Sequence, residues 1–354
     1  MKNQAENLRW LRSELERAYL AARRGKTSKP EVIDFDKVCK QELDALAREI
    51  HTREYKPKPS TTFIVNKPVK REIFAAAFRD RIVHHFLFNQ VSGWWDARFI
   101  EDNYSCRKGK GTLYGISRLD HHIRSVSNNY QTDAYVLKLD IQGYFMSLDR
   151  KMLYSRAMWG LERQFSSGGY IYQVCKFLWK VVVFNDPIQD VVYNCPRSAW
   201  RGLPASKSLF GQPKGRGIAI GNLTSQLLSN IYLDQLDRYV TIELGFKHYG
   251  RYVDDFYVIA KTRWELVEAT QKIECYLSCT LSLTLHPHKR HLQHFDKGVA
   301  FLGAVVYPFR IQPGRRLKRN LITALKNPEC SPETDVSYRG LVKHYRHKKL
   351  LMGI

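Results

Sequence analysis

Three aspartates carry the chemistry in this sequence. Asp254 and Asp255 stand side by side in YGRYVDDFYVIA, residues 249–260, between two short runs of aromatic and β-branched residues. Such runs favour strands and the polar pair between them favours a turn, so the stretch reads as a β-hairpin with two carboxylates at its tip. Adjacent carboxylates repel unless something positive neutralises them. A hard divalent cation does this simply, because Mg²⁺ takes carboxylate oxygens and leaves room for phosphate oxygens. An ordinary acidic turn is the plain alternative for these few residues. A third carboxylate weighs against it. In AYVLKLDIQGYFMSLDR, Leu137, Leu139 and Ile141 alternate on one strand face, and Val136, Lys138 and Asp140 share the other. Asp140 thus leaves a mostly buried strand opposite its apolar neighbours, just before Gly143, and is a candidate partner for the pair.

The elements that must position these groups lie around them. A glycine-rich turn, GRGIAIGN, precedes a helix expected from about Asn222, whose wide stripe of Leu223, Leu227, Leu228, Ile231, Tyr232, Leu236 and Val240 makes it a core helix. The glycines at 215, 217 and 221 let backbone approach a ligand closely. Upstream, Thr61–Val65 reads as a strand, with helix from Phe74 onward. Lys67, Lys70, Arg71, Arg79 and Arg81 crowd that junction, where cations suit a triphosphate or a nucleic-acid backbone. In FIEDNYSCRKGKGTLYGISRL, Arg107, Lys108 and Lys110 could touch nucleic-acid phosphates. Two helices, Leu8 to about Arg24 and Asp34 to before Pro57, form an N-terminal extension. Residues 152–184 are largely helical, and 185–214 irregular. A helix from Arg263 to about Cys279, a strand in VAFLGAVVYP and a basic tail helical in two pieces follow.

The chain has 354 residues, 44% hydrophobic and 12% aromatic, enough for two or three packed subdomains rather than a disordered polymer. Its formal net charge of +23 points to a polyanionic partner, with nucleic acid the default. No apolar run suits a transmembrane helix or signal peptide, so a soluble, cytoplasmic protein without a membrane role is expected. Seven dispersed cysteines suit reduced thiols. Cys275 and Cys279, followed by His286, His288, His291 and His294, raise a zinc site, but their spacing does not match a knuckle and IECYLSCTLSLTL reads as a buried helix and strand. There is neither a P-loop nor a dinucleotide-binding fingerprint.

The order of these pieces resembles a reverse transcriptase. The blocks KPVKREIF, NYSCRKGKG, LKLDIQGYF, GIAIGNLTSQLLSN, YVDD and FLG occur in the family's order from about Tyr55 to Pro308. YxDD alone is a weak signal; with the upstream aspartate strand and the intervening glycine turn and helix it is specific. The variant IGxxxSQ from Ile220 and Gly221, with KSLF before it and SYRG near the C-terminus, resembles the reverse transcriptases of diversity-generating retroelements. The resemblance implies an α+β right-hand polymerase, with fingers, a palm of antiparallel sheet backed by helices, and a helical thumb. The expected divisions are an N-terminal helical extension over 1–55, fingers over 56–130, palm over 131–307 with an insertion at about 151–214, and thumb over 308–354.

It further implies that Asp140 and Asp254 hold two Mg²⁺ ions, with Asp255 assisting, the Ile141 carbonyl as a further ligand, and Mn²⁺ as a substitute. Lys70, Arg71, Phe145, Ile220 and Gly221 would bind the incoming dNTP, Phe145 as the ring that collides with a ribose 2′-hydroxyl. Lys289, with His291 as second choice, would protonate the leaving group. Arg107, Lys108, Lys110, Lys343, Arg346 and Lys348 would contact nucleic acid. The implied partners are a template RNA, the RNA/cDNA duplex, dNTPs and a small helical accessory protein, pentameric in that subfamily. Where relatives carry glutamine, Ile220 removes a polar contact near the nascent pair, so error-prone synthesis directed at template adenines is expected. The alternatives are a free-standing or defence-associated reverse transcriptase, an RNA-binding scaffold without catalysis, and an RNA-dependent RNA polymerase, against which Phe145 argues.

Overall fold

A computed structural model of the chain describes residues 2–67, 69–326 and 331–345. In order, α1 (Lys2–Arg23), α2 (Pro30–Lys37) and α3 (Cys39–Thr52) precede β1 (Thr61–Val65), β2 (Arg71–Ala75), α4 (Phe78–Asp96) and α5 (Thr112–Val126). Next come β3 (Tyr135–Asp140), the single turn α6 (Tyr144–Ser147), α7 (Arg150–Gln164), α8 (Tyr170–Phe184), β4 (Val192–Tyr193) and α9 (Leu223–Arg238). The remainder is β5 (Tyr249–Tyr252), β6 (Asp255–Ala260), α10 (Arg263–Cys279), β7 (His291–His294), β8 (Val299–Phe301), β9 (Ala304–Tyr307), β10 (Arg310–Pro313), α11 (Arg315–Lys326) and α12 (Pro332–Val342). Among the described residues no helix is long and apolar enough to cross a membrane.

Four sequence expectations are corrected. Phe74 lies in a strand, not a helix: residues 71–75 pair antiparallel with β1, and helix starts only at Phe78. The expected second helix is two, broken at Val38. VAFLGAVVYP is not one strand but the hairpin β8–β9, because Leu302 and Gly303 both take positive φ and turn the chain. Residues 310–313, expected as the start of a helical tail, add a third strand to that hairpin.

The chain divides into two compact units, Met1–Phe99 with Gln142–Gln235, and Ile100–Ile141 with Leu236–Ile354. The second is built on a four-stranded antiparallel sheet in the order β5-β6-β3-β7. Residues opposite one another in an antiparallel ladder share a face. Leu137 meets Val258 and Leu139 meets Phe256 on one face, and all four are buried. Val136 meets Ile259, Lys138 meets Tyr257 and Asp140 meets Asp255 on the other. Burying each large apolar side chain is worth about 1.5–3 kcal/mol. A one-residue slip of β3 would move Leu137 and Leu139 to the opposite face and Asp140 away from Asp255, so the packed apolar residues lock the register that sets the two aspartates across from each other. α5 packs on the polar-ended face, where Ile116, Leu119 and Ile123 join Val136, Tyr257, Ile259 and the β8–β9 residues Val299, Phe301 and Val306 in one core.

The first unit has a three-stranded sheet, β2-β1-β4, in which β4 runs parallel to β1. Its helical part brings α1 against α3 and α4, and α7 against α8. Leu11, Leu15, Leu43, Leu46, Ile50, Phe86, Val174 and Leu178 are fully buried there. A smaller core of Phe74, Met146, Leu209 and Ala219, with half-buried Ile220 packed on it, ties the sheet to the glycine-rich turn.

Candidate active site

The hairpin β5–β6 turns through only Val253 and Asp254, so Asp254 stands at the tip and Asp255 opens β6. Val253 has φ of +57°. A β-branched residue rarely adopts this conformation, which two-residue hairpin loops usually assign to glycine or asparagine, and the strain costs on the order of 1–3 kcal/mol. A clamp holds it. Arg251 donates from Nη1 to the Val253 carbonyl at 2.9 Å, and its Nε and Nη2 donate to the two oxygens of Asp237 at 2.6 Å each. Both side chains are fully buried, and the Tyr249 hydroxyl donates to the same Asp237 at 2.7 Å. This bidentate pair lies directly beneath the turn and sets where Asp254 stands.

A second network lies under β6. The Tyr104 and Tyr257 hydroxyls hydrogen-bond at 2.8 Å, Tyr257 meets His122 Nδ1 at 3.1 Å, and His122 Nε2 lies 3.3 Å from Asp102. Arg118 closes it with donors to both Asp102 oxygens at 2.7 and 3.0 Å. Gly250 makes this possible, since a Cβ there would strike the Tyr104 hydroxyl and the hydroxyl end of the Tyr257 ring. Beside His122 and Arg118, the Asp102 carboxyl is held far below its usual range although burial alone would raise it.

On the surface above, Asp140 ends β3 and its carbonyl accepts the His286 amide at 2.8 Å, while Ile141 bridges Leu285. Lys289 Nζ donates to Asp140 Oδ2 at 2.9 Å, and Lys138 Nζ lies 3.4 Å from Asp255 Oδ2. Asp255 Oδ1 is buried with no hydrogen-bond partner. Burial, then the charge of Asp140, raises the Asp254 carboxyl to about 6. Burial also raises Asp255 to about 6, against the pull of Lys138. The site therefore has an excess of negative charge that its two lysines only partly offset. Among the described residues no three acidic, histidine or cysteine side chains are gathered tightly enough to hold a metal ion; Asp140 and Asp255 turn to lysines instead. The donor set still fits Mg²⁺: hard carboxylate oxygens, one of them buried and unpartnered, whose mutual repulsion a cation would relieve.

Of the residues expected to act, Asp140, Ile141, Asp254, Asp255 and Lys289 meet at this place in the second unit. Arg107 and Lys110 spend donors inside their own loop, on the Ile100 and Asn103 carbonyls and on Glu101, while Lys108 is exposed. Lys343 is exposed; Arg346 and Lys348 lie outside the described residues. The others belong to the first unit. Arg71 is exposed at the start of β2, and Lys70 Nζ donates to the Arg201 carbonyl at 2.7 Å. Phe145 is half-buried in α6, its carbonyl accepting the Ile218 amide at 2.9 Å. The Ile220 carbonyl accepts the Phe74 amide at 3.3 Å, and Gly221 has φ of +123°. Cys275 and Cys279, expected in a buried helix, are exposed on α10 with sulfurs 3.7 Å apart. Sequence reading passed over Arg251 and Asp237. The signal was present: a lone arginine inside a strand of aromatic residues needs a buried acid.

No family model matches the chain. It is 24% identical over 297 residues to Protein YkfC of Escherichia coli K12, covering 74% of this chain and 70% of that one. Among solved structures it is similar to apo telomerase of Candida tropicalis truncated from its C-terminal domain, with a TM-score of 0.51, 11% identity, and 72% of this chain and 55% of that chain covered. Telomerase of the same organism in complex with a fragment of telomeric RNA matches with a TM-score of 0.50 and 10% identity, over 88% of this chain and 56% of the other. The chain thus spans about half the length of these telomerases. The likeness is one of fold alone: a mixed chain of helices and mainly antiparallel sheets, similar to that of these telomerases.

Proposed function

We propose that this chain is an RNA-directed DNA polymerase that makes error-prone cDNA from a retroelement template RNA, in the manner of diversity-generating retroelements. The observation that carries the polymerase reading is the pairing of Asp140 with Asp255 across the β3–β6 ladder, with Asp254 at the strained turn beside them. Asp140 and Asp254, assisted by Asp255 and the Ile141 carbonyl, would hold Mg²⁺. When bound, the metal lowers the charge of the triphosphate and makes the primer 3′-hydroxyl a better nucleophile.

The chain's own residues do the rest. The Asp237–Arg251 clamp fixes the Val253 carbonyl, so Asp254 needs little reorganisation when a nucleotide arrives. Lys138 offsets part of the charge on Asp255. Lys289 donates to Asp140 Oδ2 and would be the proton donor for a leaving pyrophosphate. Phe145 would exclude a ribose 2′-hydroxyl, and Lys70 and Arg71 would bind triphosphate.

The mutagenic reading rests on Ile220. Its side chain packs on the Phe74–Met146 core and offers a base pair no hydrogen bond. A small helical accessory protein and a structured template RNA would complete the assembly. The test is to copy a defined RNA with the wild type and with Ile220→Gln and to sequence the cDNA. Fewer errors opposite template adenines in the variant support the reading; an identical spectrum rejects the mutagenic role and leaves the polymerase.

A further inference from the structure

Between α8 and the glycine-rich turn, residues 185–214 take no part in this chemistry, yet their composition is unusual. From Val191 to Leu233 there is no acidic residue, while Arg197, Arg201, Lys207 and Lys214 are exposed. Within it, aromatic rings rise in order from the core to the surface. Phe74, fully buried, lies 5.7 Å from the ring of Phe210. Phe210 is stacked with Tyr193 at 6.1 Å and 10°. Trp200 stands edge-on to both, at 5.7 and 6.2 Å. The Arg197 guanidinium lies 4.8 Å from the centre of the Tyr193 ring. Val192 is 55% exposed, Phe210 39% and Tyr193 36%.

A solvated basic loop does not need this construction. Val192 and Tyr193, exposed on the edge strand β4 with Phe210 beside them, form an apolar surface that calls for an occupant. A protein partner would be met by apolar anchors, but not by exposed arginines and lysines with no acidic residue between Val191 and Asn222. A single-stranded polyanion with flat bases matches both features, because stacking on aromatic faces and phosphate contacts to arginine and lysine are how such strands are held. The rings are fixed in advance by Phe74, so little side-chain freedom is lost on contact.

We infer that Tyr193 and Phe210, with Arg197 and Arg201, form a stacking platform for single-stranded RNA of no particular sequence. The choice of RNA over DNA rests on the polymerase reading; the platform itself does not. The test is fluorescence anisotropy of the full chain in EDTA with a labelled, mixed-sequence 12-nucleotide RNA and with a blunt RNA duplex of the same length. Tyr193→Ala should weaken binding of the single strand about tenfold, the loss of one stacked base. It should leave duplex binding within about twofold, and Tyr193→Phe should restore the single strand. Arg197→Ala should flatten the salt dependence by about 0.7 in log–log slope, one phosphate contact fewer. Wild-type affinity in Tyr193→Ala, or equal loss for duplex and single strand at an unchanged melting temperature, overturns the platform. Primer extension is measured on the same preparations. A chain that binds RNA through these rings but extends no primer sinks the polymerase reading alone.

Discussion

Asp254→Asn should make the protein more stable while removing its activity. The Asp254 carboxyl sits near 6 instead of the usual 3.8, mainly through burial and the neighbouring charge of Asp140. Because the folded value is the higher one, the group favours the fold most below pH 3.8, and that benefit is lost as pH rises through about 6. Two units correspond to roughly 3 kcal/mol. Asp140 and Asp255 share the same repulsion and solvent reaches part of the site, so about 2 kcal/mol is the working figure. Asparagine has nearly the same shape and no charge. Its gain should be close to zero at pH 4 and complete at pH 7.5, a rise of about 3 °C in melting temperature for a chain of this length. Thermal melts in EDTA at pH 4, 5, 6 and 7.5 measure this. Added Mg²⁺ should then stabilise the wild type more than the variant, and the wild type's response to Mg²⁺ should fade below pH 6, where protons compete for the carboxylates. A variant equally stable or less stable at every pH would refute the crowded-carboxylate reasoning.

Arg251→Met leaves Asp237 buried without its partner and should cost about 3–5 kcal/mol by chemical denaturation, whereas Asp237→Asn with Arg251→Met should recover part of that loss. Neither should restore extension if the clamp on Val253 sets the position of Asp254. Phe145→Ala should raise incorporation of ribonucleotides at least about tenfold relative to deoxynucleotides in single-turnover assays, with dNTP use little changed. Lys289→Ala should lower kcat about 100-fold with KM for dNTP within about threefold, and Lys289→Arg should regain part of it. An unchanged kcat would assign Lys289 to charge balance at Asp140 alone.

The site was legible in sequence where local pattern decides structure. Alternation of Leu137 and Leu139 with Lys138 and Asp140 identified the strand and its polar face, and the aromatic runs around Asp254 identified the hairpin. What local pattern could not give was the long-range pairing. That β6 lies between β5 and β3, so that Asp255 faces Asp140, depends on contacts over 100 residues apart in the chain. Arg251 looked like one more cation in a chain of +23. Its place in a strand of aromatic residues calls for a buried acid, but that the acid is Asp237 follows only from the fold. VAFLGAVVYP failed for a different reason: a β-branched run was read as continuous although Leu302 and Gly303 reverse it. Phe74 onward reads as helix, but pairing of residues 71–75 with β1 outweighs local propensity and holds Phe74 in a strand.

The central claim is that Asp140, Asp254 and Asp255 form a metal-dependent nucleotidyl-transfer site. The most direct measurement is extension of a DNA primer annealed to RNA by the purified chain, with dNTPs, across a titration of Mg²⁺. The account predicts extension that rises with Mg²⁺ and is absent in Asp254→Ala. Equal extension by Asp254→Ala, or none by the wild type with Mg²⁺ or Mn²⁺ and any accessory protein present, would contradict it.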